Sequence, residues 1–203
     1  MDIRLDGKVA LITGASKGLG FAMARTFAEA GAKVALLARG QESLDAACSE
    51  IGTVDGEVRG YACDVTSASA IETTYRAVEN DLGPIDILVN NAGSSARGAF
   101  PEITDEMWQS DFDLKVFAAI RLCRLAFPSM MERKSGRIIN VLNVGAKAPA
   151  AEGAPTAVSR AAGLALTKVL ACEGAPHNVL VNSLHVGKIE SDQWVRRAAQ
   201  QGN

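Results

Sequence analysis

Thr13-Gly14-Ala15-Ser16-Lys17-Gly18-Leu19-Gly20 is the stretch on which the rest of the chain is organised. It follows directly on the apolar run Val9-Ala10-Leu11-Ile12 and leads into Phe21, Met23, Ala24 and Phe27, spaced as the buried side of a helix. Glycines four and two residues apart suit a strand-to-helix turn whose backbone passes close to a diphosphate. The helix N-terminus beyond it offers unpaired N–H groups and the positive end of its dipole. A plain tight turn uses the same glycines, so the motif takes its meaning from what surrounds it.

Short apolar runs recur along the chain: Val34-Ala35-Leu36-Leu37, Ile85 to Val89, Ile138 to Leu142, Val179-Leu180-Val181, and a weaker one from Val58 to Cys63. They read as strands buried on both faces. Between them, helical spacing is expected at about residues 18–30, 41–51, 67–82, 105–132 and 156–174. Alternating strands and helices imply right-handed crossovers and an α/β fold, a doubly wound parallel sheet with helices on both faces. No repeat or linker interrupts the pattern, so residues 1–203 are expected to form a single domain.

The chain has 203 residues, with 21 basic and 23 acidic side chains and a formal charge of -2, so it lacks the footprint for grasping a nucleic acid or an anionic membrane. Cys48, Cys63, Cys123 and Cys172 form no C-x-x-C pair and are expected as buried reduced thiols, with no metal site. Asp2, Arg4, Asp6 and Lys8 precede any apolar run, and nothing approaches the roughly 20 apolar residues of a membrane span. The expected location is the cytoplasm.

Asp64 after the third strand, Asn90-Asn91-Ala92-Gly93 after the fourth, and Val181 to Gly187 over the sixth complete the pattern. With the glycine turn, this order resembles the short-chain dehydrogenase/reductase superfamily over nearly the whole chain. The resemblance implies a Rossmann-type fold and hydride transfer between a nicotinamide cofactor and a carbonyl or alcohol of a small-molecule substrate. It implies that Gly14, Ser16, Lys17, Gly18, Leu19 and Gly20 cradle the diphosphate and that Asp64 with Val65 faces the adenine. Asn90, Asn91, Ala92 and Gly93 would line the ribose and nicotinamide side, although the Asn90 side chain equally suits a tie between adjacent strands. At the end of strand two, NAD users of the family usually have an acid. Here Ala38 is followed by Arg39, and with Lys17 the two cations favour a 2'-phosphate, hence NADP, with NAD second. Gly187, Ile189 and Ser191 stand in the family's turn after strand six, where Ser191 would meet the carboxamide of nicotinamide or instead cap a helix. Members also continue into a last strand that is not identifiable after Gln193 to Arg197, so the C-terminal strand is expected to be missing.

The catalytic pattern departs from the family's Ser-Tyr-Lys. Asn143 stands where the Ser belongs, Thr156 replaces the Tyr, Arg160 replaces the Lys, and Lys115 lies where many members have an Asn. An alkyl hydroxyl is a far weaker acid than a phenol of pKa about 10, so Thr156 cannot simply stand in for it. Arg160 can still fork toward ribose hydroxyls, and Asn143 can donate to a carbonyl oxygen. A proton then has to come from Lys115, His185 or Glu152. The bland roles are an ion pair of Lys115 with Asp111 or Asp113, packing for His185 and a solvated loop for Glu152; His177 looks incidental. Simultaneous loss of Ser, Tyr and Lys leaves open a nucleotide-binding or non-redox protein on the same fold. Either way a homodimer or homotetramer is expected. In the family the helices corresponding to 105–132 and 156–174 pack on their copies, and here they carry Phe112, Val116, Phe117, Ile120, Leu164, Leu166 and Leu170.

Overall fold

In the computed structural model, residues 3–52, 56–187 and 189 are described. Six strands, β1 (Val9–Thr13), β2 (Lys33–Ala38), β3 (Val58–Ala62), β4 (Ile87–Asn90), β5 (Gly136–Asn143) and β6 (Val179–Val186), form one sheet in the order β3-β2-β1-β4-β5-β6. Every neighbouring pair is parallel. The order reverses between β1 and β4, so the crevice of the sheet opens beyond the C-terminal ends of those two strands.

The helices are α1 (Gly18–Glu29), α2 (Gln41–Ile51), α3 (Ala68–Leu82), α4 (Asp105–Phe112), α5 (Ala118–Glu132) and α6 (Thr156–Gly174). Alternate strand residues serve opposite cores. Leu11, Leu37, Leu88 and Ile138 pack with Ile71, Tyr75, Leu122 and Met130 of α3 and α5, whereas Ile12, Leu36 and Val89 pack with Ala24, Ala28 and Leu44 of α1 and α2. Burial on both faces is why the strand sequences are continuously apolar instead of alternating.

Three expectations are corrected here. The 105–132 stretch is not one regular helix: residues Asp113–Phe117 between α4 and α5 adopt a π-helical turn, which no break in the apolar spacing announces. The sixth strand runs to Val186, well past Val181, because it pairs with β5 along its whole length. Of the four cysteines only Cys63 and Cys123 are buried; Cys48 is half-buried and Cys172 exposed. Among the helix residues expected at a subunit contact, Val116 is buried and Leu170 packs against the chain's own core. Ser191 lies outside the described residues.

Candidate functional site

The glycine turn is tied down from beneath by β4. Thr13 Oγ1 accepts from the N–H groups of Asn91 and Ala92, each at 2.9 Å, and the Asn91 amide donates to Thr13 O at 2.8 Å and Gly14 O at 3.2 Å. Asn91 therefore braces the turn. Gly14 has φ +64°, and a Cβ there would come within 3.0 Å of Ala92 Cα; a Cβ at Gly20 would sit 2.3 Å from Gly14 O. Gly18, with φ +59°, is different, because a Cβ there would touch nothing within 4 Å. Two glycines thus allow the backbone to close on itself, and the third lies on the turn's open side ahead of the α1 N-terminus.

Lys17 and Arg39 are exposed at this end, as is Asp64. The Asp64 carboxylate accepts from Thr66 N–H and Oγ1, and these bonds, the backbone one first, hold its acid below the usual carboxylate range. Val65, beside Asp64, is buried in the core under α3. Ser16 and Leu19 are half-buried in the turn, and Gly187 and Ile189 are exposed beyond β6.

Asn90 fulfils its structural alternative: its amide donates to Asn140 Oδ1 at 2.8 Å, tying β4 to β5. Its Oδ1 nevertheless has no partner. Asn90 lines a small, partly open cavity with Thr13, Ala92, Lys115 and Arg160.

The positions that replace the expected acid-base residues form a buried knot. Asp111 on α4 accepts from Ser159 Oγ at 2.6 Å, from Thr156 Oγ1 at 3.1 Å and from the Lys115 ammonium. Lys115 also donates to Thr156 Oγ1 at 3.0 Å, and that oxygen accepts a third bond from Ala96 N–H at 2.9 Å. The π turn carries Lys115 inward, leaving the side chains of Lys115 and Asp111 1% and 2% exposed. Burial lowers the Lys115 pKa below its ordinary value, opposed by Asp111 and reinforced by Arg160. Of the two ion-pair partners that the sequence offers for Lys115, Asp111 and Asp113, the structure selects Asp111, one helical turn before it.

Arg160 donates to Val141 O at 2.8 Å, and a Cβ at Gly93 would lie 2.5 Å from its Nη2, so the guanidinium runs under the strand-four loop. Its Nε and the Oδ1 of Asn143 are buried without partners. His185 has both ring nitrogens engaged, Nε2 with Ser183 Oγ at 3.0 Å and Nδ1 with Asn143 O at 3.3 Å. Glu152 is exposed on the loop before α6, as its bland reading required. Buried Lys115 joins Arg160 in the cavity wall, while His185 and Glu152 do not line it.

Comparison with known proteins identifies the family and the fold. Residues 8–202 match the family model described as short chain dehydrogenase. The chain is 35% identical over 199 residues to 2,3-dihydro-2,3-dihydroxybenzoate dehydrogenase of Bacillus subtilis, covering 98% of this chain and 76% of that one. L-sorbose reductase of Gluconobacter frateurii, solved with NADPH and L-sorbose, superposes with a TM-score of 0.95 at 35% identity, covering 99% of this chain and 77% of that one. An NAD+-bound xylitol dehydrogenase superposes at 0.90 with 32% identity, covering 97% of this chain and 76% of that one.

Proposed function

Since this chain belongs to the short-chain dehydrogenase family, we propose that it is an NADP(H)-dependent oxidoreductase acting between a carbonyl and an alcohol of a small molecule, with Lys115 as the proton carrier. The glycine turn fits a dinucleotide: Gly18 is left-handed and unobstructed, and the buried polar atoms Arg160 Nε and Asn143 Oδ1 lack partners near the crevice. Gly14, Gly18 and Gly20 with the α1 N-terminus would hold the diphosphate, and exposed Lys17 and Arg39 would receive a 2'-phosphate. The NADPH-bound sorbose reductase supports that choice, and the NAD+-bound xylitol dehydrogenase keeps NAD as the second. When bound, the reduced nicotinamide supplies the hydride that goes to the carbonyl carbon.

The chain's own residues supply the rest. Arg160 would hold the nicotinamide ribose with the fork that its Val141 bond leaves free. Asn143 would donate from its amide to the carbonyl oxygen. Lys115 Nζ would pass a proton to that oxygen, leaving a neutral amine that bulk solvent recharges after product release. The observation that carries this reading is the buried Lys115 ammonium, 3.0 Å from Thr156 Oγ1 and in the same cavity wall as Arg160.

A second reading has its own observation. Asp111, Lys115, Thr156 and Ser159 satisfy one another inside the fold, as the members of a structural tie do. On that reading the chain binds a nucleotide without transferring hydride.

Calorimetric titration with NADPH and NADH tests the first claim, which expects the tighter binding for NADPH and is lost if neither binds. Lys115→Ala is expected to lower turnover on a carbonyl panel at least about a hundredfold while changing NADPH affinity much less. Unchanged turnover removes Lys115 from the chemistry. Carbonyl reductase activity that appears only in the Thr156→Tyr/Arg160→Lys variant would establish the second reading.

A further inference from the structure

The charge in the site is unbalanced. The cavity beneath the glycine turn is lined by two ionisable side chains, Lys115 and Arg160, and by no acid. The carboxylate in contact with Lys115 is Asp111, which sits behind it and is itself saturated by Lys115, Thr156 and Ser159. Both neighbours of that carboxylate on α6, Thr156 and Ser159, are neutral. His185 is turned to Asn143 O and Ser183, and Glu152 is exposed. Buried Lys115 and half-buried Arg160, whose Nε is itself enclosed, against one carboxylate leave one uncompensated positive charge, set back from solvent where screening is weak.

We infer that this buried excess charge makes the site select the reduced over the oxidised dinucleotide. The inference rests on the dinucleotide reading above. The two forms share phosphates, riboses and adenine and differ at the nicotinamide, which is cationic when oxidised and neutral when reduced. Contacts at the glycine turn, Lys17 and Arg39 therefore cancel in the ratio of their dissociation constants. What remains is repulsion between the oxidised ring and the net charge of Lys115, Arg160 and Asp111. A single cation in the place of Arg160, balanced by an ionised phenol, would not produce this bias. Exchange of the phenol for Thr156 does, because the Lys115–Asp111 pair that accompanies it is neutral in sum and cannot take the phenolate's place. The consequence is a protein that holds NADPH and releases NADP+ readily, suited to the reductive direction or to reporting the state of the cofactor pool.

The test is a ladder of four proteins, each titrated with NADPH and with NADP+ at about pH 6.5, on the acid side that favours the charged lysine. The Kd ratio, oxidised over reduced, is expected to change by about tenfold for each unit of buried charge. The ratio should favour NADPH in the parent, fall by about tenfold in Lys115→Met, rise by about tenfold in Asp111→Asn, and return to the parent value in the Asp111→Asn/Lys115→Met double variant. The double variant matters because it removes the ion pair while restoring the charge, separating electrostatics from disturbed packing. It also keeps the ladder readable if Lys115→Met alone, with a stranded carboxylate, does not fold. A ratio that is the same in all the proteins that bind overturns the inference and leaves the dinucleotide reading intact. Failure of both forms to bind the parent overturns both.

Discussion

Thr156 Oγ1 accepts from Ala96 N–H and from Lys115 and donates to Asp111, so it has no capacity left for a substrate. Its work is to hold the 93–99 loop and the start of α6 on the Lys115–Asp111 pair. Thr156→Val, which keeps the shape and strands three partners, is expected to lower stability in urea by about 1–3 kcal/mol while leaving NADPH affinity within about threefold. A loss of cofactor binding without a loss of stability would contradict this role. Lys115 brings a pH dependence with a definite sign. Burial, the larger cause, and Arg160 place its folded pKa below the ordinary 10.5. Between those two values the folded chain binds fewer protons than the unfolded one, so stability rises with pH across that window. Cys63 and Cys123, raised by burial from 9.0, act in the opposite direction above that value and are common to parent and variant. Subtracting the urea stability of Lys115→Met from that of the parent should therefore leave a curve that climbs with pH; a flat difference would sink the assignment. The sequence shows Lys115, Thr156 and Arg160 as departures from a pattern, because a motif position names a residue type. The pairing of Lys115 with Asp111 is one of the roles it offers; that Thr156 and Ser159 also close on that carboxylate is not visible there, since they are 45 and 48 residues away along the chain.

At the scale of the elements, the three glycines of the turn have separable duties. A Cβ at Gly20 meets backbone, Gly14 O at 2.3 Å, which cannot move without unseating α1 from β1. At Gly18 it meets nothing, and the penalty is the left-handed φ of +59° alone. Gly18→Ala is expected to cost about 1–2 kcal/mol, and Gly20→Ala at least that from the clash together with most of the NADPH affinity. Chemical denaturation with calorimetric titration of each variant reads both effects, and equal behaviour of the two would refute the distinction. This turn was legible from spacing, as were five of the strands to within a few residues, because each strand is apolar throughout and each helix apolar at one period. The π turn at Asp113–Phe117 was not. One residue of extra phase leaves the apolar spacing of 105–132 almost unchanged, and only the burial of both Lys115 and Val116 discloses it.

For the whole molecule, what matters is which apolar surface this fold leaves uncovered. On α6, Val158 at 46% and Val169 at 53% exposure lie three helical turns apart, with exposed Ala165 and Cys172 on the same stripe. Phe117, 40% exposed, lies under the Arg121 guanidinium at the junction of the π turn with α5. Leu164, Leu166 and Leu170, the α6 residues that sequence spacing favoured for a subunit contact, are half-buried in the chain itself, so the available stripe is rotated from the expected one. An α6 stripe of small and branched side chains suits an antiparallel copy of itself packed about a two-fold axis. We therefore expect a homodimer, or a tetramer built from it, that buries this stripe. Light scattering of the parent should give a multiple of the 21.2 kDa chain mass, and Val158→Glu/Val169→Glu should give the monomer with the helical signal retained. The site itself lies between β4, β5 and the first turn of α6, so loss of the dimer should free that turn and weaken NADPH binding in the same variant. A monomeric parent with undiminished NADPH affinity would show that the crevice stands without a second copy.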